Sequence, residues 1–294
     1  MSSFLSYVIN GISLGSVYAI IALGYTMVYG IAKMLNFAHG DVIMVGGYMI
    51  FTFMYTANLN PFVALLLAMI MCTILGIVIE KVAYKPLRGA SSLAVLITAI
   101  GVSYLLQNVA QLIFGSNPKM FNKILDLGNI ELMNGELNIP VSTLVMIATS
   151  LVIVVGLSLF IKKTKTGRAM LAVSEDKDAA RLMGINVNKT ITITFAIGSA
   201  LAAIASFLMF NAYPSLIPTS GSMPGIKAFV AAVFGGIGSI PGAMIGGIVL
   251  GLVEILGGAY ISTQLSNAIV FTILIVALIF KPTGLFGKKI KEKV

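Results

Sequence analysis

The one histidine of the sequence, His39, lies between Asn36 and Asp41 in a short polar cluster beside apolar stretches. Imidazole and carboxylate groups could hold a metal ion, but such a site needs three or four ligands, and the chain has one His and one Cys. We therefore expect no metal and no other cofactor. A cytoplasmic helix cap, with Asp41 at the N-terminus of the following helix, is favoured over a direct role in a translocation pathway.

A second isolated acidic residue, Glu254, interrupts an apolar stretch that runs from residue 228 to residue 280. A charge at the centre of a bilayer costs roughly 2.5 to 3.5 kcal/mol on insertion scales, which marks such a residue as functional. The competing interpretation places Glu254 near a helix end, close to Gly257 and Gly258, where water solvates it. The sequence leaves both interpretations open.

A third pattern lies in the hydrophilic segment 162–189, where Asp178, Ala179 and Ala180 are followed at a short distance by Gly184. Residues 169–183 have helical composition, and small alanines would let another protein approach that helix closely. Gly184 can end the helix with a positive φ. The alternative is an ordinary solvated loop helix with a glycine at its C-terminus.

The surrounding composition is that of a membrane protein. Hydrophobic residues make up 58% of the 294 positions and charged residues 10%, against about 25% charged in a soluble domain. A membrane-spanning helix needs about 20 apolar residues. No Asp, Glu, Lys or Arg occurs in residues 1–32, 42–79, 89–118, 137–161, 190–226, 228–253 and 255–280. We predict an all-α polytopic membrane protein with about eight transmembrane helices, forming one transmembrane domain over residues 1–294 and including a retained first helix.

The basic residues predict the topology. The net charge of +9 is concentrated in short loops, as the positive-inside rule requires, so it gives no support for nucleic-acid binding. Loops 80–90 and 162–189 and the C-terminal tail are predicted to be cytoplasmic, and loop 114–139 external. The tail carries Lys281, Lys288, Lys289, Lys291 and Lys293, and the external loop carries Lys119, Lys123, Asp126, Glu131 and Glu136.

Helix-breaking residues divide the longest apolar runs. Residues 57–61 read as a tight turn with Pro61 starting the next helix, and a second break begins at Tyr213 and Pro214. Loop 162–189 and the C-terminal tail are both predicted to be cytoplasmic, so an even number of membrane crossings must separate them. This condition requires run 228–253 to cross the membrane twice or to re-enter it. Its break contains Gly235, Gly236, Gly238, Ser239 and Pro241.

We interpret run 228–253 as two half-helices or two short crossings that meet at this glycine-rich break. Non-helical backbone at membrane depth occurs where protein or a water-filled cavity satisfies its polar groups, and broken helices in both halves of a chain indicate transport sites. The break and the 36–41 cluster are therefore pathway candidates. The glycines Gly242, Gly246, Gly247 and Gly251 favour close packing within the chain over a dimer face.

Several segments together carry a family resemblance over nearly the whole chain. They are residues 10–30 (NGISLGSVYAIIALGYTMVYG), 36–41 (NFAHGD), 80–84 (EKVAY), 167–169 (GRA), 183–186 (MGIN), 235–247 (GGIGSIPGAMIGG) and 281–284 (KPTG). The sequence resembles the LivH-type permease subunit of branched-chain amino-acid ABC importers. The resemblance implies an ABC importer permease fold in the cytoplasmic (inner) cell membrane, no enzymatic activity of its own, and import of leucine, isoleucine and valine.

The resemblance also implies partners. These would be a homologous second permease subunit, two ATP-binding-cassette ATPase subunits and an extracytoplasmic amino-acid-binding protein, all in the context of the lipid bilayer. Permeases of this class carry an EAA-x-x-x-G loop that docks on the ATPase, and here the pattern starts with Asp178, so segment 162–189 would be the coupling loop. Two alternatives remain: a permease for urea or another small amide or amino acid, and a stand-alone transporter that uses Glu254 or Asp41 for proton coupling.

Overall fold

The computed structural model describes residues 2–122, 124–125, 127–132 and 137–287. Its helices are α1 (Ser2–Ala32), α2 (His39–Phe51), α3 (Pro61–Ile79), α4 (Ser92–Phe114), α5 (Val141–Lys163), α6 (Lys165–Glu175), α7 (Lys177–Leu182), α8 (Val187–Ala212), α9 (Ser222–Gly235), α10 (Ile240–Tyr260) and α11 (Ser266–Phe280). A π-helical turn extends α2 over Thr52–Thr56, and π and 3₁₀ turns extend α3 over Glu80–Tyr84 and Lys85–Leu87. The tail lysines 288, 289, 291 and 293 and the loop charges Lys123, Asp126 and Glu136 lie outside the described residues.

Six of these helices, α1, α3, α4, α5, α8 and α10, are long and apolar enough to cross a membrane, and α9 and α11 are shorter apolar helices. The prediction of an all-α membrane protein with about eight apolar helices is confirmed. In the described residues, four short strands accompany the helices: β1 (Lys119–Met120), β2 (Asn129–Leu132), β3 (Leu137–Pro140) and β4 (Ser215–Leu216). They form two antiparallel pairs, β1 with β4 and β2 with β3.

The predicted turn before α3 is confirmed, and its chemistry is local. Asn58 has a φ of 50°, and the side chain of Asn60 accepts a hydrogen bond of 2.9 Å from the Phe62 N–H. Pro61 is the first residue of α3, where its missing N–H costs nothing.

The glycine-rich break is confirmed as well. Gly236 and Gly238 have φ values of 101° and 95°, which a side chain would strain, and Ser239 caps α10 by accepting from the Gly242 N–H at 3.2 Å. Run 228–253 is divided into two helices that meet at the break, as predicted, but the second is a full helix and not a half-helix, because α10 has 21 residues and continues through Glu254 to Tyr260. The charge of Glu254 does not end the helix, since the side chain is paired within the protein.

The chain divides into two compact units, of which the first comprises residues 1–26, 127–154 and 227–294. In its described part, glycines bring α1 and α10 close together: a Cβ on Gly15 would lie 2.6 Å from the Ile248 Cα, and one on Gly251 would meet the Gly15 backbone. A Cβ on Gly246 would meet the Ala231 carbonyl of α9. The prediction that these glycines serve packing within the chain is therefore confirmed.

The second unit comprises residues 27–126 and 155–226. Helices α2, α3 and α8 pack together in it, and Gly76 of α3 lies directly against Ser199 of α8. The only cysteine, Cys72, is fully buried in α3, in agreement with a packing role. The N-terminal part of α9, up to residue 226, also belongs to this unit.

Candidate functional site

The segment around Asp41 starts α2. The chain leaves α1 at Ala32, and α2 begins at His39, so Asp41 lies in the first helical turn as predicted. The N-cap residue Ala38 makes no side-chain capping bond, however, and the Asn36 Oδ1 accepts a 2.9 Å hydrogen bond from the Tyr84 hydroxyl. These polar groups are thus bound into tertiary structure, and they are buried, with exposures of 5%, 2% and 1% for Asn36, His39 and Asp41.

Asp41 takes part in a polar cluster centred on Gln107 of α4. The Gln107 Nε2 donates to Asp41 Oδ1 at 2.9 Å, to Ser103 Oγ at 3.2 Å and to Ser222 Oγ at 3.0 Å. We call these four residues the Gln107 cluster. Sequence reasoning missed Gln107, although Ser103 and Gln107 follow a four-residue spacing in an apolar helix, and that spacing places polar groups on one helix face.

Two helix N-termini meet beside the Gln107 cluster. A Cβ on Gly40, in the first turn of α2, would collide with the Gly221 carbonyl and approach the Cα of Gly225, so the two backbones are in contact there. Ser222, which begins α9, belongs to the cluster itself. The break before α9 and the break before α2 therefore come together, whereas the sequence had compared the 36–41 segment with the glycine-rich break before α10.

Glu254 is part of a buried ion pair. Its Oε1 lies 2.6 Å from the Lys227 Nζ, and its Oε2 accepts a 2.9 Å hydrogen bond from the Tyr18 hydroxyl. The side chains of Lys227 and Glu254 are 7% and 16% exposed, so solvation at an interface is the wrong interpretation. The missed signal was that Lys227 separates two uncharged runs, which makes it the isolated positive counterpart of Glu254.

The glycine-rich break is packed by protein backbone. The Leu285 N–H donates to the Phe234 carbonyl at 2.8 Å, and the Phe286 N–H donates to the Gly235 carbonyl at 3.0 Å. A Cβ on Gly236 would meet the backbone of Gly287. Protein groups thus satisfy part of this non-helical backbone, which is one of the two conditions under which such a break occurs at membrane depth.

The segment between α5 and α8 forms two helices, where the sequence predicted one. Asp176 interrupts them, because its extended backbone ends α6 while its carboxylate caps α7 by accepting from the Asp178 and Ala179 N–H groups at 2.9 and 3.0 Å. Gly184 ends α7 with a φ of 79°, as predicted. The Ile185 N–H bonds back to the Ala180 carbonyl at 3.0 Å, which completes a Schellman C-terminus.

The two alanines of α7 differ in exposure. Ala180 is only 3% exposed and packs inward, so Ala179 alone of the two alanines can meet another protein. The helix instead exposes Leu182 and Met183, at 90% and 81%, beside the exposed carboxylate of Asp178. Large apolar side chains this exposed, on a helix that is not among the candidate membrane spans, mark an interaction surface.

Lys177, at the start of α7, connects this surface to α1. Its Nζ donates to the Ala32 carbonyl at 2.8 Å, at the last residue of α1. Burial, and then the positive charges of Arg88, Lys33 and Arg181, lower the pKa of Lys177, while Asp178 acts in the opposite direction. The end of α1 and the start of α7 are therefore held together by a hydrogen bond in a positively charged environment.

Six described helices long and apolar enough to cross a membrane, the buried pair of Lys227 and Glu254, and one exposed polar helix pair are typical of a multi-pass membrane transport protein. Residues 7–278 match the family described as branched-chain amino acid transport system / permease component. The chain belongs to this family. It is a multi-pass permease component of an ABC transport system, a class of system that also includes an ATPase and a binding protein.

Full-length relatives support the assignment. The high-affinity branched-chain amino acid transport system permease protein BraD of Pseudomonas aeruginosa is 44% identical over 99% of this chain and 98% of BraD. LivH of Escherichia coli, described in the same words, is 43% identical over the same shares of the two chains. A probable branched-chain amino acid transport permease protein LivH of Methanocaldococcus jannaschii is 29% identical over 93% of this chain and 90% of its own.

Proposed function

We propose that this chain is one of two permease subunits of an ABC importer that moves leucine, isoleucine and valine into the cell. The observation that carries the proposal is similarity over the whole chain to BraD and LivH, both described as high-affinity branched-chain amino acid permeases. A homologous second permease, two ATPase subunits and an extracytoplasmic binding protein would complete the system. Membership of an ABC permease family speaks against the stand-alone, proton-coupled alternative.

Within the single transmembrane domain, segment 162–189 is the proposed coupling loop. Its helix α7 supports this role because it presents Asp178, Ala179, Leu182 and Met183 outward. The acidic residue lies at the positive end of the helix, and the two large apolar side chains lie at the other end. This surface would dock in a groove of the ATPase.

Ala180 and Gly184 have supporting roles in this proposal. Ala180 packs inward and fixes how α7 lies on the rest of its unit, and Gly184 stops the helix so that Met183 is presented at its end. The bond from Lys177 to the end of α1 gives the ATPase a direct mechanical connection to a membrane helix. Movement of α7 would thus pull on α1.

Uptake assays test the transport proposal. A strain that lacks this chain should lose import of radiolabelled leucine, isoleucine and valine and recover it on complementation. Retained import of all three, with loss of urea or another small amide, would instead support the related permease for that solute.

The variant Gly184→Val tests the coupling loop, with Gly115→Val as a more strained control. Both glycines end a helix with a φ near 80° and have open space where a side chain would go, but Gly115 also has a ψ of 175°, in a region essentially restricted to glycine. Gly184→Val should cost about 1 to 2 kcal/mol, and Gly115→Val should cost more. We expect Gly184→Val to leave the complex assembled but to uncouple ATP hydrolysis from leucine uptake, while Gly115→Val transports normally. Equal coupling in both variants would contradict the assignment.

A further inference from the structure

The side-chain nitrogen of Gln107 has more hydrogen-bond acceptors around it than an amide can use. Three oxygens, from Asp41, Ser103 and Ser222, lie 2.9 to 3.2 Å from its Nε2. An amide NH₂ group has two hydrogens, whereas a primary ammonium group has three. The three-oxygen arrangement therefore suits an ammonium nitrogen better than the amide nitrogen it holds.

The charge balance of the cluster leads to the same ligand. Asp41 is 1% exposed, and the cluster partners that bond to its carboxylate, Gln107 and Ser103, are neutral. A carboxylate inside a membrane helix bundle is expensive unless a cation or several donors compensate it. A positively charged ligand would supply that compensation.

The position of the cluster suits a transported solute. Gln107 lies about 10 Å from the end of α4 at Phe114, at about 1.5 Å per residue, so it is well inside the span of that helix. Ser103 and Gln107 are partly exposed and Asp41 is buried, so the cluster extends to the surface of the described chain at α4. A cation could then replace the Gln107 amide without unfolding any helix.

The adjacent helix N-termini complement an ammonium site for an amino acid. The first turns of α2 and α9 meet where Gly40 contacts Gly221, and the N-terminal end of a helix attracts negative charge. In transporters, the N-termini of broken helices near the membrane midplane bind the carboxylates of anionic substrates. One amino acid could thus place its ammonium at Asp41 and its carboxylate at these helix ends.

We infer that Asp41, Ser103 and Ser222 form a binding subsite for the ammonium group of the transported amino acid. The Gln107 amide occupies this subsite in the unliganded chain and is displaced by the substrate. The identification of the cation as an amino acid rests on the proposed function.

Thiol labelling of the variant Gln107→Cys in the complete complex tests the charge of the site. The measured quantity is the ratio of the labelling rate with the cationic aminoethyl methanethiosulfonate to the rate with the anionic sulfonatoethyl reagent. We expect this ratio to be at least tenfold higher at Gln107→Cys than at the exposed control Ser116→Cys. The preference should disappear in Asp41→Asn, Gln107→Cys. The buried Cys72 gives the background, measured in the parent chain. Equal rates for the two reagents at Gln107→Cys would overturn the inference.

Protection experiments then identify the ligand. Millimolar leucine, without the binding protein, should slow labelling at Gln107→Cys, whereas the 2-oxo acid of leucine, which lacks the ammonium group, should not. Protection by both compounds, or by neither, would overturn the ammonium subsite even if the unmodified complex imports leucine. Failure of the unmodified complex to import leucine would overturn the proposed function and leave the labelling preference for cations standing.

Transport by Asp41→Asn is the second measurement. We expect leucine uptake to fall at least tenfold while the complex assembles and the loaded binding protein still stimulates ATP hydrolysis. The matched control Glu131→Gln neutralises an exposed carboxylate in β2 and should transport normally. Normal uptake by Asp41→Asn would overturn the inference. If that variant fails to assemble, the labelling of Gln107→Cys still decides.

Discussion

Replacing Glu254 by glutamine would leave the Lys227 ammonium buried beside a neutral amide. The two charged atoms lie 2.6 Å apart, and the Lys227 side chain is 7% exposed, so water cannot take over the solvation of the lysine. The Tyr18 hydroxyl, which now donates to the carboxylate at 2.9 Å, would keep an oxygen acceptor. The main loss is therefore the compensation of the lysine charge.

The magnitude follows from the cost of breaking a buried ion pair. Removing one partner of such a pair costs about 3 to 5 kcal/mol, because an uncompensated charge stays buried. Since the introduced amide would still accept a hydrogen bond, we expect Glu254→Gln to lower the free energy of unfolding by about 3 kcal/mol, the lower end of that range. The double variant Lys227→Met, Glu254→Gln removes both charges and should be within about 1 kcal/mol of the unmodified chain, as neutral replacements of buried pairs often are.

The assay is a double-variant cycle on the purified complex. Unfolding by sodium dodecyl sulfate, followed by circular dichroism, gives the free energy for the unmodified chain, Glu254→Gln, Lys227→Met and the double variant. With about 3 kcal/mol expected for each single variant and about 1 kcal/mol for the double variant, the interaction energy should be about 5 kcal/mol, which exceeds the usual range of about 0.5 to 3 kcal/mol for residues in contact. Glu131→Gln serves as the control, because a neutralised exposed carboxylate should change stability by less than about 0.5 kcal/mol.

Two results would refute this reasoning. One is a change of less than about 0.5 kcal/mol for Glu254→Gln, which is what an exposed surface residue gives. The other is a double variant whose cost equals the sum of the two single costs, which would mean that Lys227 and Glu254 do not interact. Leucine uptake by the double variant adds a functional outcome: we expect it to continue, since the pair compensates charge and is not expected to carry protons.

Further variants probe helix packing and the connection from the coupling loop to α1. Gly15→Ala should destabilise the chain by about 1 to 3 kcal/mol, because its Cβ would lie 2.6 Å from the Ile248 Cα. In the same unfolding assay, Gly101→Ala should stabilise α4 by about 0.5 to 1 kcal/mol, because the space around Gly101 is open. Because burial lowers the pKa of Lys177, the folded chain binds its proton less readily than the unfolded chain does. Between the lowered pKa of Lys177 and the ordinary lysine pKa, the free energy of unfolding of the unmodified chain, measured relative to that of Lys177→Met, should thus rise with pH. A fall over that interval would contradict the buried contact with Ala32.

Local chemistry made the helix ends predictable. A proline such as Pro61 fits the first helical position, and glycines such as Gly184 and Gly236 adopt a positive φ without strain, so these residues fix where helices begin and end whatever they pack against. The long apolar runs likewise predict membrane spans from length alone. The break before α10 could be located for this reason, although its packing against the backbone after α11 could not.

Which polar groups meet is decided by tertiary packing, and the sequence carries only a weak trace of it. Lys227 and Glu254 lie on different helices on either side of a break, and no period relates them, so their opposite isolated charges were the only available signal. Gln107 and Asp41 are further apart in sequence and share no sign pattern at all. Both pairings follow from a single physical condition, since polar groups inside an apolar bundle must find partners within it.

Helix geometry decides which of the two alanines is exposed. The sequence predicted that these small residues let another protein approach the helix closely, but a helix turns about 100° per residue, so Ala179 and Ala180 point in different directions. Ala180 packs inward, which leaves Ala179, and leaves Leu182 and Met183 exposed although they are the more apolar residues. Leu182 and Met183 lie outside the candidate membrane spans, so a protein partner would compensate the contact of their side chains with water. The exposed end of α7 therefore supports the proposal that the ATPase binds there.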